Sequence, residues 1–199
     1  LDEEAAEEAP RPPRPLTFGR PRFAAEEFGL TPAQRGTALH MVMQYIDFER
    51  AETAEGVAAE IHRLVEQAFL TPQQGEAVNP ERIAAFFSSD LGRELMASTS
   101  LRREFKFSIL VPAADYYQEA EEGEQVLLQG VVDCCFETLE GITVVDFKTD
   151  RVTKRTVAER AEDYRPQLTA YSRALEEITG KPVARRCLWF FAIDQAVEV

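Results

Sequence analysis

The chain has 199 residues, 45% of them apolar, which is enough to bury a core without disulfides or a structural metal. Its formal net charge is −13, and it has no run of about 18 apolar residues, which argues against a membrane span. The acidic, proline-rich start does not resemble a signal peptide. Together these features predict a folded cytoplasmic protein.

Residues 1–29 are predicted to be a linker, because they are charged, rich in proline and without sustained hydrophobic periodicity. A helical layer is predicted over residues 30–98. It begins with a capping box, in which Thr31 caps the helix and Gln34 completes the box. Similar start signals recur at Thr71 and Asn79, each followed directly by a proline.

The hydrophobic period changes from helical to two after Leu101, which indicates β-strands. Four segments read as strands: REFKFSILV, EQVLLQGVVDCCFE, ITVVDFK and, closing the chain, RRCLWFFAI. A helix from Tyr164, ended by Gly180, is predicted before the last strand. The order predicts an α/β fold in which helices flank a mixed sheet, with residues 101–199 as its core.

The three cysteines, Cys134, Cys135 and Cys187, lie in apolar strand segments and lack CxxC spacing. They are predicted to be reduced core residues, and no iron–sulfur cluster is expected.

The net charge argues against a nucleic-acid partner, because phosphate binding depends on Lys and Arg. The distribution of the charge weakens that argument. Residues 1–8 and 115–124 hold ten of the acids and no basic residue, so the rest of the chain carries only −3 of the −13. Several basic residues follow Lys148, but acids interrupt them, and by themselves they would read as a mixed solvated face.

The segment from Gly130 to Arg151 predicts a β-hairpin with one aspartate on each arm. If residues 138–141 form the loop, Asp133 lies opposite Asp146. Directly opposed residues have Cβ atoms roughly 5 Å apart, so the two carboxylates repel each other, and Lys148, on the same strand face, offsets only part of this charge. A divalent cation with oxygen ligands would resolve the rest. The alternative is a slipped register, with Asp146 and Lys148 as an exposed ion pair of little energetic weight.

Four motifs occur in this order along the chain: Gly36-x-x-x-His40 on the first helix, Asp133, the DFK run ending at Lys148, and Gln167-x-x-x-Tyr171. They resemble the RecB-like nuclease domains of the PD-(D/E)xK superfamily, which have a restriction-endonuclease-like core. RGTALHMVMQYID, LLQGVVDCCFE, VVDFKTDR and YRPQLTAYSRAL are most similar to the C-terminal nuclease domain of the AddA (RexA) subunits of bacterial AddAB helicase-nucleases. Relatives with an iron–sulfur cluster carry four cysteines, which favours the AddA type here.

The resemblance implies roles for these residues. His40, Asp133, Asp146 and the backbone carbonyl of Phe147 would bind Mg²⁺ or Mn²⁺, and Lys148 would orient or activate the attacking water. Gln167 and Tyr171 lie on one helix face and would support the site. Two further residues are possible members: Gly36, whose missing side chain permits close approach, and Glu104, in the place of a first-strand acid.

The resemblance also implies a function in DNA repair and recombination. The domain would hydrolyse phosphodiester bonds of single-stranded DNA, plausibly as an exonuclease on the 3′-ended strand. The helicase region of a longer bacterial chain and an AddB-type second subunit would deliver that strand, and residues 1–29 would be the tether. The alternative is an inactive nuclease-fold module that docks or guides DNA. Such modules usually lose a carboxylate or the lysine, whereas Asp133, Asp146 and Lys148 are all present here.

Overall fold

A computed structural model describes residues 30–199, so the predicted linker lies outside the described residues. A five-stranded sheet, in the order β1-β2-β3-β4-β5, forms the centre. The strands are β1 (Arg102–Pro112), β2 (Gln125–Glu137), β3 (Ile142–Lys148), β4 (Val183–Phe190) and β5 (Gln195–Glu198). The described part of the chain has six α-helices: α1 (Pro32–Tyr45), α2 (Ala54–Glu66), α3 (Pro72–Ala77), α4 (Pro80–Ser88), α5 (Asp90–Ala97) and α6 (Val157–Thr179).

The helical layer α1–α5 confirms the start signals of the sequence. Thr31 and Gln34 form a complete capping box before α1, and Thr71 and Gln74 form another before α3. Asn79 accepts two backbone N–H bonds at the start of α4. These side chains satisfy the N–H groups that every helix start leaves free, so the helix boundaries are fixed locally.

The sheet is mixed, as predicted. Strands β1, β2 and β3 are antiparallel neighbours, whereas β4 lies parallel to β3 after the α6 crossover. One face of the sheet packs on the helical layer through residues such as Phe147 and Trp189. The other face packs on α6 through residues such as Val144 and Leu188. Alternate residues of one buried strand therefore contribute to two cores.

Two details of the prediction are wrong. The strand at 185–193 does not close the chain, because β5 pairs antiparallel with β4 after a turn at Asp194, whose φ is 50°. The segment QAVE has only four residues and is largely exposed in the structure. A segment this short carries too little apolar alternation to be recognised as a strand from the sequence. Helix α6 begins at Val157, seven residues before Tyr164, although Gly180 ends it as predicted, with φ 69°.

All three cysteines are buried and free, as the sequence indicated. Burial raises the pKa of the Cys135 thiol and of the Cys187 thiol to about 11. Among the described helices, none is both long and apolar enough to cross a membrane.

Candidate active site

The β2–β3 hairpin has the predicted register, since Glu137 pairs with Ile142 and the ladder continues to Cys134 opposite Val145. The regular ladder ends there, one position short of Asp133 and Asp146. Beyond this point the Asp133 carboxylate replaces a backbone acceptor: its Oδ2 accepts the N–H of Phe147 at 2.8 Å. The hairpin therefore brings the two aspartates to the same end of the pair of strands.

Asp146 and Lys148 form a buried ion pair on the α6 face of β3. Their residues are only 3% and 9% exposed, and Nζ lies 2.5 Å from Asp146 Oδ2. Within residues 30–199 no other donor reaches this buried oxygen, so the Lys148 ammonium is its partner. This burial excludes the alternative of an exposed surface pair.

The electrostatics of Asp146 follow from this burial. Burial, together with the nearby charge of Asp133, raises the pKa of the Asp146 carboxyl to about 6, and Lys148 offsets only part of the effect. The charged form of Asp146 is therefore disfavoured in the site as it stands. An additional cation would relieve the cost of keeping both aspartates ionised.

His40 reaches this site from α1. Its Nδ1 lies 3.6 Å from Asp133 Oδ2. Burial lowers the pKa of His40, but the contact with Asp133 and the charges of both aspartates outweigh it, and the net shift is upward. His62, for which no role was predicted, is largely exposed on α2 beside Glu66.

Helix α6 supplies the remaining contacts of Lys148. Gln167 Oε1 accepts a hydrogen bond from Lys148 Nζ at 2.9 Å, and Gln167 Nε2 donates to Tyr171 Oη at 2.7 Å. Lys148 Nζ also lies 3.7 Å from the centre of the Tyr164 ring. The sequence interpretation missed Tyr164, although its spacing of three residues from Gln167 was a usable signal for a shared helix face.

Glu104 and Gly36 border the site. Glu104 lies between the pairs Arg103–Cys134 and Phe105–Val132, at the level of Asp133, with a left-handed φ of 49°. Burial raises the pKa of Glu104, and the charge of Asp133 adds to the effect. A Cβ at Gly36 would lie 2.8 Å from Thr149 Oγ1, so its small size allows α1 to approach the end of β3 closely.

A cleft of about 630 Å³ opens beside these residues but does not include the two aspartates. Gly36 and Thr149 form its wall toward the site. Arg35 and Arg151 are exposed at its lining and have no salt bridge within residues 30–199, whereas Arg82 is bound to Asp194.

The residues present fit a small divalent cation. Within residues 30–199, no cluster of three or more acidic, His or Cys side chains is already arranged as a metal site. The donor types are nevertheless suitable: two carboxylates for a hard cation, and an imidazole that Mn²⁺ accepts more readily than Mg²⁺. The N–H and C=O of one strand residue point to the same neighbouring strand, so the Phe147 carbonyl faces the side of Asp133.

Comparisons with known proteins identify the family of the chain. A family described as the PD-(D/E)XK nuclease superfamily matches residues 16–198, starting within the predicted linker. An ATP-dependent helicase/nuclease subunit from Desulforamulus reducens is 39% identical over 94% of this chain and 15% of its own length. Proteins of the same name from Acetivibrio thermocellus and Bacillus mycoides are 42% and 40% identical, over 89% and 90% of this chain. The chain thus spans about 15% of these relatives.

Proposed function

The chain belongs to the PD-(D/E)XK nuclease superfamily, and from this premise we propose that it is a metal-dependent deoxyribonuclease domain. One observation supports the proposal most strongly: a buried lysine contacts a buried aspartate at 2.5 Å, beside a second aspartate and a histidine. A buried charge cluster is costly for a fold. A role of the cluster in acting on a substrate would account for this cost.

Asp133, Asp146, His40 and the carbonyl of Phe147 are the groups proposed to hold Mg²⁺ or Mn²⁺. When bound, such an ion lowers the pKa of a water molecule and offsets charge on a phosphate oxygen. The aspartates contribute two negative charges, which Lys148 alone does not balance. A divalent cation would supply the missing positive charge.

Lys148 is proposed to orient the attacking water and to stabilise the negative charge that develops at the scissile phosphate. Its ammonium has three donors, of which one binds Gln167 and another faces Asp146. Gln167 is itself held by Tyr171. We assign Gln167 and Tyr171 to holding the lysine and leave proton transfer to other groups.

The proposed substrate is single-stranded DNA, delivered by a helicase, with the 3′-ended strand as the expected target. The relatives are named as ATP-dependent helicase/nuclease subunits, and this chain corresponds to a small part of them. We infer that it works within a longer bacterial chain of that type, in the cytoplasm, together with an AddB-type second subunit, in DNA repair and recombination.

The cleft beside Gly36 is proposed to receive the strand next to the scissile phosphate. Arg35 and Arg151 offer positive charge at its lining, and the Asp150 carboxylate in the same lining is already neutralised by Arg160. Two arginines are a small electrostatic footprint for a nucleic-acid site. We therefore expect weak binding by the domain alone and delivery by the helicase.

The alternative is an inactive module that guides DNA without cutting it. The intact Asp133, Asp146 and Lys148 favour the nuclease. Incubating the protein with end-labelled single-stranded DNA in Mg²⁺, Mn²⁺ or EDTA separates the two proposals. A nuclease shortens the strand only with metal, and labels at the 5′ or 3′ end report the polarity of cutting. Binding without shortening in either metal would instead support the guiding module.

A further inference from the structure

A network of three residues outside the predicted site holds one ring of α6 against Lys148. Tyr164 Oη lies 2.8 and 2.9 Å from the two carboxylate oxygens of Asp150 and donates to that group. Arg160 donates to Asp150 at 2.8 Å and to Tyr164 Oη at 2.8 Å. The tyrosine hydroxyl therefore has both an acceptor and a donor as partners.

The position of this network explains what the ring does. Asp150 lies two residues after Lys148, in the loop that leaves β3, whereas Arg160 and Tyr164 lie one turn apart on α6. The network therefore ties the loop to the helix. It presents the ring face to Lys148 Nζ at 3.7 Å from the ring centre, a distance at which a ring attracts an ammonium group.

Among the described residues, three different groups contact the Lys148 ammonium. Asp146 supplies charge, Gln167 supplies a hydrogen-bond acceptor, and the Tyr164 ring covers a further side. Asp146 and Gln167 alone leave the ammonium free to move away from them on the ring side. A long lysine side chain loses considerable rotamer freedom when it is held, so each neighbour restricts its position.

We propose that Tyr164 is a positioning residue for Lys148, with Asp150 and Arg160 as the anchors of its ring. The catalytic consequence rests on the proposed nuclease function, whereas the geometric part does not. The Tyr164 ring contacts the Lys148 ammonium, and the hydroxyl holds the ring in place through Asp150 and Arg160. Replacing the ring should therefore matter more than removing the hydroxyl.

Nuclear magnetic resonance tests the geometry without any metal or DNA. The chain has four lysines, and within residues 30–199 only Lys148 lies over an aromatic ring. With ¹³C-labelled lysine, the ε-methylene protons of Lys148 should show an upfield ring-current shift, assigned by its loss in Lys148→Arg. Tyr164→Leu should abolish this shift and Tyr164→Phe should keep it. An unchanged shift in Tyr164→Leu would overturn the proposal.

Steady-state cleavage of single-stranded DNA tests the consequence. At saturating DNA, Tyr164→Leu should lower kcat about tenfold, whereas Tyr164→Phe should stay within about threefold of wild type. Tyr117→Leu, which removes an exposed tyrosine elsewhere, should leave kcat unchanged. A wild-type kcat in Tyr164→Leu, or a Tyr164→Phe as slow as Tyr164→Leu, would overturn the positioning role. If wild type fails to cleave, the nuclease assignment fails while the resonance shift still decides the geometry.

Discussion

The carboxylate of Asp133 accepts the backbone N–H of Phe147 at 2.8 Å, where the regular pairing of β2 with β3 stops. A side chain thus completes the sheet in place of a backbone carbonyl. Phe147 is only 2% exposed, so its N–H would be left without a partner if Asp133 were absent. The same bond holds the Asp133 carboxylate near Asp146 and His40, which links folding of the hairpin to assembly of the site.

Asp133 is therefore expected to have separable structural and chemical roles. Asp133→Ala should lower the free energy of unfolding by about 1–3 kcal/mol, because it leaves a buried N–H unpaired. Asp133→Asn keeps an acceptor oxygen and should stay close to wild type in stability. Both variants should lose metal-dependent cleavage. Denaturant unfolding and the DNA digestion measure the two roles, and a fully active Asp133→Asn would exclude the carboxylate as a metal ligand.

Asp146 should destabilise the metal-free protein as it ionises. Its pKa is about 6 in the folded state against 3.8 for the ordinary carboxyl, so the unfolded chain ionises first. The stability present below pH 4 is lost as the pH rises through about 6. Asp146→Asn should therefore melt at or above wild type in EDTA at pH 7, with a difference that shrinks toward pH 4. Asp133, His40 and Lys148 face this carboxyl and are retained in the variant.

Bound metal should make wild type melt at a higher temperature than Asp146→Asn. A ligand bound only by the folded state adds about 2.7 kcal/mol at a hundredfold excess over Kd, so Mn²⁺ or Mg²⁺ should raise the melting temperature of wild type by several degrees. Asp146→Asn should gain little. An undiminished metal shift in Asp146→Asn, or a clearly lower melting temperature than wild type in EDTA, would contradict a shared cation site.

Glu104 is expected to lower the stability of the fold while it supports cleavage. Its φ of 49° is unfavourable for any side chain, so Glu104→Gly should raise the free energy of unfolding by up to about 1 kcal/mol. Glu104→Gln keeps the strain and removes the charge. If Glu104 assists the site, both variants should cleave more slowly than wild type while only Glu104→Gly gains stability. Wild-type cleavage rates in both would make Glu104 a bystander.

The arginines of the cleft should govern DNA affinity. With little positive charge on the body of the chain, binding of single-stranded DNA should be weak and steeply dependent on salt. Arg35→Ala/Arg151→Ala should raise KM severalfold and reduce the slope of log K against log salt, with kcat unchanged at saturating DNA. Arg155→Ala, in the same loop as Arg151 but outside the cleft lining, is the matched control. An equal effect of Arg155→Ala would assign the binding to general charge.

Much of the fold could be predicted from the sequence because local interactions determine the helix starts and the hairpin register. The capping boxes at Thr31 and Thr71 use residues three positions apart, and the hairpin register follows from its four-residue loop. Pattern alone also placed Asp146 and Lys148 on one strand face. The strength of the interaction between them depends on their burial. Helix α6, which follows later in the chain, packs on this face and buries the pair.

The remaining features depend on tertiary contacts that sequence patterns do not carry. Strand β5 is short and polar, and it forms because the edge of β4 offers it backbone partners. The first two turns of α6 contain mostly charged residues, and the contacts of Arg160 and Tyr164 with Asp150 stabilise them. The left-handed conformation of Glu104 has no signature in a strand that otherwise alternates normally.

The central claim is that Lys148 acts with Asp133 and Asp146 in metal-dependent hydrolysis of DNA. Lys148→Met is the most direct test, because methionine keeps much of the volume of this buried side chain and removes only its ammonium. Single-turnover digestion of end-labelled single-stranded DNA in saturating Mn²⁺ should give product with wild type, none in EDTA, and a rate at least about 100-fold lower with Lys148→Met. The circular dichroism spectrum should confirm that Lys148→Met is folded. Cleavage by folded Lys148→Met at a rate near that of wild type would contradict the claim.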